Sequence, residues 1–214
     1  MSYAAIITCS TPNRDWLYNI TNPTKYKYAN TYGLEYVFDS SVYYDCDYLP
    51  GWNKIPYIIN ALQRYQYVLW LDDDAGFIRY DVDIIQYCID NCNERSILIC
   101  KDMNDINSGV MFFKSCEFNI KSLQYLWDYR YLYKSDNHGH TGRMEQPAII
   151  DLCLKRPMDV MIGDGHILNA YDSSLTISEP NQATDNTIIL HIAGGREFKQ
   201  QHINQIKALY ETNR

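Results

Sequence analysis

The chain has 214 residues, 46% of them hydrophobic and 21% charged, an ordinary globular balance that suits one large domain or two small ones. Its net charge of −7 and isoelectric point near 5.1 argue against a nucleic-acid binder, which usually carries a basic stripe. No apolar run approaches the roughly 20 residues that span a bilayer, and the start, Met1 to Thr8, lacks the basic region of a signal peptide. The expectation is a cytoplasmic protein, or a soluble piece of a longer chain, with no membrane span.

Strand and helix signals alternate along the chain. Ala4–Thr8 reads as a first short strand, followed by a polar loop, Cys9–Arg14. A helix is expected over about residues 15–31, ending at Gly33, and a second strand over Glu35–Phe38. Ser40–Gly51 is tyrosine-rich and irregular. Pro56 suits a first helical turn, and Ile58, Ala61, Leu62 and Tyr65 recur at helical spacing. Tyr67–Leu71 has the length and the β-branched and aromatic content of a buried strand. Val82, Ile85 and Ile89 mark a helix, and Ile97–Cys100 and Val110–Phe113 two strands. Leu123, Leu126, Trp127 and Tyr131 trace a helical face. Residues 134–143 read as a polar, glycine-containing mobile loop. Pro147 opens a helix with Ile149, Ile150 and Leu154. Val160–Ile162 and Ile188–His191 read as short strands, and Ile203, Ile206 and Tyr210 as a last amphipathic helix. The pattern predicts one α/β domain over 1–214, whose early half, 1–113, looks mainly nucleotide-binding.

Seven cysteines, with no zinc-like CxxC pair, read as reduced and mostly buried. The 20 tyrosines and 4 tryptophans mostly fill the core, although aromatics also line sugar-binding clefts.

The chemistry concentrates where the strand Tyr67–Leu71 ends in Asp72, Asp73 and Asp74. Three crowded carboxylates are costly unless a cation compensates them. In open α/β sheets ligands sit beyond the carboxyl ends of strands. The residues therefore point to a divalent metal held by Asp72 and Asp74, with a phosphate-bearing ligand beyond it. A solvated acidic turn is the alternative.

Other polar segments follow a fixed order: Trp52-Asn53-Lys54, Asp72-Asp73-Asp74, Asn107-Ser108-Gly109, Glu145-Gln146-Pro147 and His191-Ile192-Ala193-Gly194-Gly195. From about residue 4 to 200 this set resembles GT-A-fold glycosyltransferases that use a DxD motif. It is most similar to the retaining galactosyl-, mannosyl- and xylosyltransferase group, to the glycogenin-like group, and to the capsid-glycosylating glycosyltransferases of chloroviruses.

The resemblance implies a GT-A fold with a mixed central sheet flanked by helices. It implies transfer of a hexose or deoxyhexose from a UDP-sugar to a glycan or glycoprotein acceptor, with Mn²⁺ or Mg²⁺ as cofactor. Asp72 would contact the ribose and help to hold the metal, Asp74 would ligate it, and His191 would be the third ligand. Asp73 is the variable middle position beside the donor, read as a solvent-facing carboxylate rather than a ligand. Thr8, Ser10, Thr11 and Arg14 would take the nucleobase and ribose. Lys54 would reach toward the donor, and Asn107 with Ser108 and Gly109 would bind its sugar. Gly194 and Gly195 would let backbone amides approach the diphosphate. Glu145 or Gln146 would stabilise an oxocarbenium-like transition state in a retaining enzyme. In an inverting one Glu145 would be the general base.

Ordinary structural roles stand beside these: a hydrogen-bonded strand-end histidine, a surface lysine, a polar loop, and a glutamate favoured by a helix N-terminus. Relatives place a lysine three residues after the HxxG glycine. Here that residue is Glu197, so Arg196 or Lys199 would substitute. His138, His140 and Arg143 read as solvent-exposed loop residues. Two other classes compete. A haloacid-dehalogenase-type phosphohydrolase also places DxD after an apolar strand, but on the first strand. A non-catalytic nucleotide-sugar-binding module would keep the site without the reaction. A nucleotidyltransferase would need a glycine- and arginine-rich N-terminal loop, which is missing.

Overall fold

The computed structural model describes residues 2–39, 50–133, 145–175, 180–192 and 195–211. Its centre is a six-stranded mixed sheet in the order β2-β1-β3-β6-β5-β7. β1 (Ser2–Cys9) pairs in parallel with β2 (Glu35–Asp39) and with β3 (Tyr65–Leu71). β6 (Asp105–Lys114) runs antiparallel between β3 and β5 (Ile97–Asp102), and β7 (Val160–Ile162) closes the row in parallel with β5. A separate antiparallel pair joins β4 (Ala75–Phe77) to β8 (Ile189–His191).

The near-continuous apolar runs of β1 and β3 follow from burial on both faces, with a period of two. Ala5, Ile7, Val68 and Trp70 face one core with α2 (Lys54–Leu62), α4 (Glu117–Asp128) and α5 (Gln146–Lys155). Ala4, Ile6, Leu69 and Leu71 face a second core with α1 (Asp15–Tyr32) and α3 (Ile84–Cys92). A third small cluster packs Leu17 and Ile20 of α1 on Ile206 and Tyr210 of α8 (Ile203–Glu211). Two short helices, α6 (Gly165–Leu168) and α7 (Arg196–Gln201), flank β8 in the chain. No helix among the described residues is long and apolar enough to cross a membrane.

Most of the expected elements form. Gly33 ends α1 in the left-handed region, at φ 63°, where a residue without a Cβ is favoured. Tyr65 leaves the helical phase of Ile58, Ala61 and Leu62, because α2 stops at Leu62 and Tyr65 opens β3. Tyr131 lies beyond α4, in a 3₁₀ turn over Arg130–Tyr133. Val82 precedes α3, which Asp83 caps by accepting from Ile85 N and Gln86 N, both at 3.0 Å. β6 begins earlier than expected, so Asn107 and Ser108 sit inside a strand rather than before one. Cys88, Cys92, Cys100 and Cys153 are buried free thiols. Residues 40–49 and 134–143, with Cys46, His138, His140 and Arg143, lie outside the described residues.

The three-residue β4 escaped sequence reasoning. It is held by Phe77, whose fully buried ring stacks on Tyr28 of α1 at 3.8 Å between centroids. Truncation of such a ring costs about 3–5 kcal/mol. Phe77→Ala should lower the urea unfolding midpoint accordingly, and a loss below about 1 kcal/mol would show that this ring does not anchor β4.

Candidate active site

The apolar run of β3 ends at Leu71, and the next three carboxylates part company. The Asp72 carbonyl accepts from Ala75 N at 3.1 Å, and Asp72 N donates to Gly109 O at 2.8 Å, so the chain turns back at once into β4. Asp72 stays partly open to the cleft. Its Oδ1 accepts from Trp70 Nε1 at 2.7 Å and pairs with Lys54 Nζ at 2.9 Å. Asp73 turns inward instead. It takes Arg14 in a two-point pairing, Nε and Nη2 each at 2.6 Å, and its Oδ2 accepts from Ser10 Oγ at 2.8 Å. The expected solvent-facing carboxylate is therefore a buried structural one. Arg14 and Ser10, expected at the nucleobase and ribose, are engaged in holding it.

Asp74 is buried among Lys199, His191 and Arg14. Burial disfavours its charge, but the Lys199 ammonium outweighs that and holds its carboxyl well below the usual range. His191 comes from β8, where the β4–β8 register sets Ala75 opposite His191. Its Nε2 lies 3.2 Å from Asp74 Oδ1. One ligand atom each from Asp72, Asp74 and His191 falls within 4.8 Å of the others. Two carboxylates and an imidazole converging so closely fit a divalent cation such as Mn²⁺ or Mg²⁺.

The opposite wall carries a second buried cluster. Lys54, the first residue of α2, is only 3% exposed, so it is not a surface lysine. Its Nζ lies 2.9 Å from Asp72 Oδ1 and 2.5 Å from Glu145 Oε1. Burial opposes the lysine charge, yet Asp72 and Glu145 raise its pKa above the ordinary value. Glu145 Oε1 also accepts from Ser108 Oγ at 2.8 Å. Glu145 Oε2 is buried with no hydrogen-bond partner among the described residues. Gly51 packs against this oxygen so closely that a Cβ would collide with it. Gln146 Oε1 sits 3.4 Å from Ser108 Oγ.

Both clusters line one cleft of about 500 Å³. Ser10, Thr11, Arg14, Lys54, all three aspartates, Asn107, Glu145, Gln146, His191, Arg196 and Lys199 reach it. Ser108 stands behind Glu145, and Thr8 is buried with its Oγ1 accepting from Lys25 Nζ at 3.2 Å. Gly195 is exposed and caps α7, while Gly194 lies outside the described residues. Arg196 and Lys199, named as substitutes for the displaced lysine, both line the cleft, and Glu197 is exposed.

Sequence reasoning missed Lys25, Trp70 and Asn169. Lys25 is fully buried and donates to Asp72 O at 2.8 Å; burial lowers its pKa to about 8. Its signal was positional, one turn from Thr21 and Tyr28 on the buried face of α1. Trp70 precedes Asp72 by two, so both project from the same side of the strand. Asn169 gave no signal.

No protein-family model matches the chain, and no curated protein sequence matches it. Solved structures do. A glycosyltransferase involved in glycosylation of the major capsid of PBCV-1 is similar over 98% of this chain and 99% of its own, at TM-score 0.74 and 16% identity. The chain has a GT-A fold. The galactosyltransferase LgtC, solved with donor and acceptor sugar analogues, is similar over 97% of this chain and 95% of its own, at TM-score 0.60 and 9% identity. Mouse xyloside xylosyltransferase 1 is similar over 92% and 99%, at TM-score 0.56 and 11% identity. At these identities the GT-A likeness is one of fold, and residue roles must come from the site itself.

The buried carboxylates give the site an acid signature. Burial raises the pKa of Glu145, but Lys54 lowers it further, to a net value below the ordinary 4.5. Between the folded and unfolded values the unfolded chain binds more protons, so this contribution is complete above pH 4.5 and is lost as pH falls through the folded value. Urea midpoints taken from about pH 7 to about pH 3 should fall more steeply for the wild type than for Glu145→Gln. Parallel acid limbs would remove the Lys54–Glu145 pair from the stability of the site.

Proposed function

We propose that the chain is a metal-dependent glycosyltransferase that moves a hexose or deoxyhexose from a UDP-sugar to a glycan or glycoprotein acceptor with retention. The observation that carries this reading is the convergence of Asp72, Asp74 and His191 across one cleft from Glu145 Oε2, which has no hydrogen-bond partner among the described residues. When bound, a divalent cation supplies Lewis-acid stabilisation of the departing nucleoside diphosphate. Asp72, Asp74 and His191 would hold that cation.

The remaining roles belong to the chain itself. Lys199 and Arg196 line the cleft and bring positive charge to a diphosphate, in place of the lysine that Glu197 displaces. Thr11 lines the outer cleft and suits the nucleoside. Lys54 and Ser108 pin Glu145 Oε1, which leaves Oε2 to accept from a hydroxyl of the donor sugar. The lowered pKa makes Glu145 a weak base. An ionised, immobile carboxylate suits positive charge developing on a sugar ring better than it suits deprotonation of an acceptor. This supports retention over inversion. Gln146 borders the same space as a neutral hydrogen-bonding group. In this reading 1–113 forms most of the nucleotide-sugar side and 114–214 the acceptor side, with Glu145, His191 and Lys199 supplied across the divide. Glycosylation of a viral capsid protein is the setting suggested by the PBCV-1 enzyme's described role, and the host cytoplasm is the compartment this reading assigns to it.

A phosphohydrolase of the haloacid-dehalogenase type is not favoured. Its nucleophilic aspartate sits after the first strand, whereas Asp72 follows the third and has Oδ1 engaged by Trp70 and Lys54. A non-catalytic module makes a different prediction, because it would bind donor without turning it over.

Nucleotide sugars should raise the melting point only with Mn²⁺ present, the true donor most, by up to about 2.7 kcal/mol of added stability at a hundredfold excess over Kd. Asp72→Ala and Asp74→Ala should lose this shift; Mn²⁺-dependent UDP affinity retained in both would refute the metal site. Glu145→Gln should lower turnover by about 100-fold or more while donor affinity stays near wild type. Unchanged turnover would take Glu145 out of the reaction.

A further inference from the structure

We infer that Asp102, Tyr171 and Asn169 form a directional hydrogen-bond chain that fixes the tautomer of His191 and turns its Nε2 lone pair toward Asp74. The consequence for cation binding rests on the proposed metal role of Asp72, Asp74 and His191.

The direction starts at Asp102, on β5. An ionised carboxylate only accepts. Its Oδ2 takes Asn107 Nδ2 at 2.6 Å and lies 3.5 Å from Tyr171 Oη, so the tyrosine hydroxyl donates to it. The phenol oxygen then presents its lone pairs to amide nitrogens, Asn107 Nδ2 at 3.3 Å and Asn169 Nδ2 at 3.5 Å. An asparagine with its nitrogen turned to Tyr171 must turn its oxygen the other way. There Asn169 Oδ1 meets His191 Nδ1 at 2.8 Å. An amide oxygen accepts, so Nδ1 carries the ring hydrogen and Nε2 of the neutral imidazole carries the lone pair. That lone pair faces Asp74 Oδ1 at 3.2 Å. Two acceptors across one short gap leave a place for a cation.

The reversed chain is the competing state. With Asn169 flipped, Nδ2 would donate to Nδ1, the ring hydrogen would move to Nε2, and Nε2 would donate to Asp74. His191 and Asp74 would then satisfy each other and leave no lone pair for a metal. Water offers little relief, because Asn169 is 0%, Tyr171 1% and His191 4% exposed. The backbone fixes the spacing: Ala170, between the two orienting side chains, accepts from His191 N at 2.8 Å. Gly109 leaves room for the ring, since a Cβ there would collide with His191 Cε1. Partners of this kind tune metal ligands by about 10–100-fold in affinity.

The full-length chain tests this in two ways. NMR of nitrogen-labelled histidine in the metal-free protein, at about pH 8 where an ordinary histidine is neutral, reads the tautomer. Paramagnetic titration reads Mn²⁺ affinity. Wild type should show hydrogen on Nδ1 of His191. Tyr171→Phe removes the orienting hydroxyl; it should give a tautomer mixture and weaken Mn²⁺ by about 10–100-fold, with little change in melting point. The double variant Tyr171→Phe with Asn169→Asp should recover both, because a carboxylate at 169 can only accept. Hydrogen on Nε2 in the wild type, or Tyr171→Phe matching wild type in both readouts, would overturn the inference, and the wild-type spectrum decides even if a variant fails to fold. Wild type with hydrogen on Nδ1 and no Mn²⁺ binding would support the orienting chain and refute the metal role instead.

Discussion

Three consecutive carboxylates at the end of an apolar strand are the constraint around which this site is arranged. At about 4 Å and an effective dielectric near 20, two like charges repel by about 4 kcal/mol. The fold answers by giving each aspartate a separate direction and a cation from a different element. Lys54 of α2 meets Asp72, Arg14 ahead of α1 meets Asp73, and Lys199 of α7 meets Asp74. Lys25 adds a fourth positive charge beneath the turn, on the Asp72 carbonyl.

The same arrangement divides labour within the motif. The middle carboxylate is spent on structure, tying the loop after β1 to the turn after β3 through Arg14 and Ser10. All three line the cleft, but only the outer two converge with His191. Asp72 is shared between the proposed cation site and Lys54, and Lys54 is shared with Glu145. One buried ammonium thus joins two carboxylates that line the same cleft. Charge placed near one is felt by the other through the buried Lys54 ammonium between them.

The short β4–β8 pair matters more than its size suggests. It brings residue 191 against residue 74 across more than half the chain, and its register, not a local motif, decides that His191 meets Asp74. Its anchoring lies in the stacking of Phe77 on Tyr28 and in Tyr210, whose hydroxyl donates to Leu190 O at 2.7 Å. Stability and site geometry are therefore coupled through α1 and α8.

By itself the sequence determined the alternation of strands and helices, because apolar periodicity and glycine or proline punctuation are local properties. It also singled out Asp72 and Asp74 as candidate cation ligands, because acidic residues directly after a buried strand are costly without a cation. It read Asp73 as solvent-facing where the fold turns it inward, since adjacent side chains differ only in how the turn after β3 folds back. It left Lys54 between a donor-reaching residue and an ordinary surface lysine, because burial of a lysine depends on Asp72 and Glu145 arriving from elsewhere. It was silent on Lys25, Asn169 and β4, which have no meaning until distant segments meet. Those choices belong to tertiary structure for one physical reason: the energy of a buried charge or amide is set by its partners in space, and here those partners lie tens of residues away along the chain.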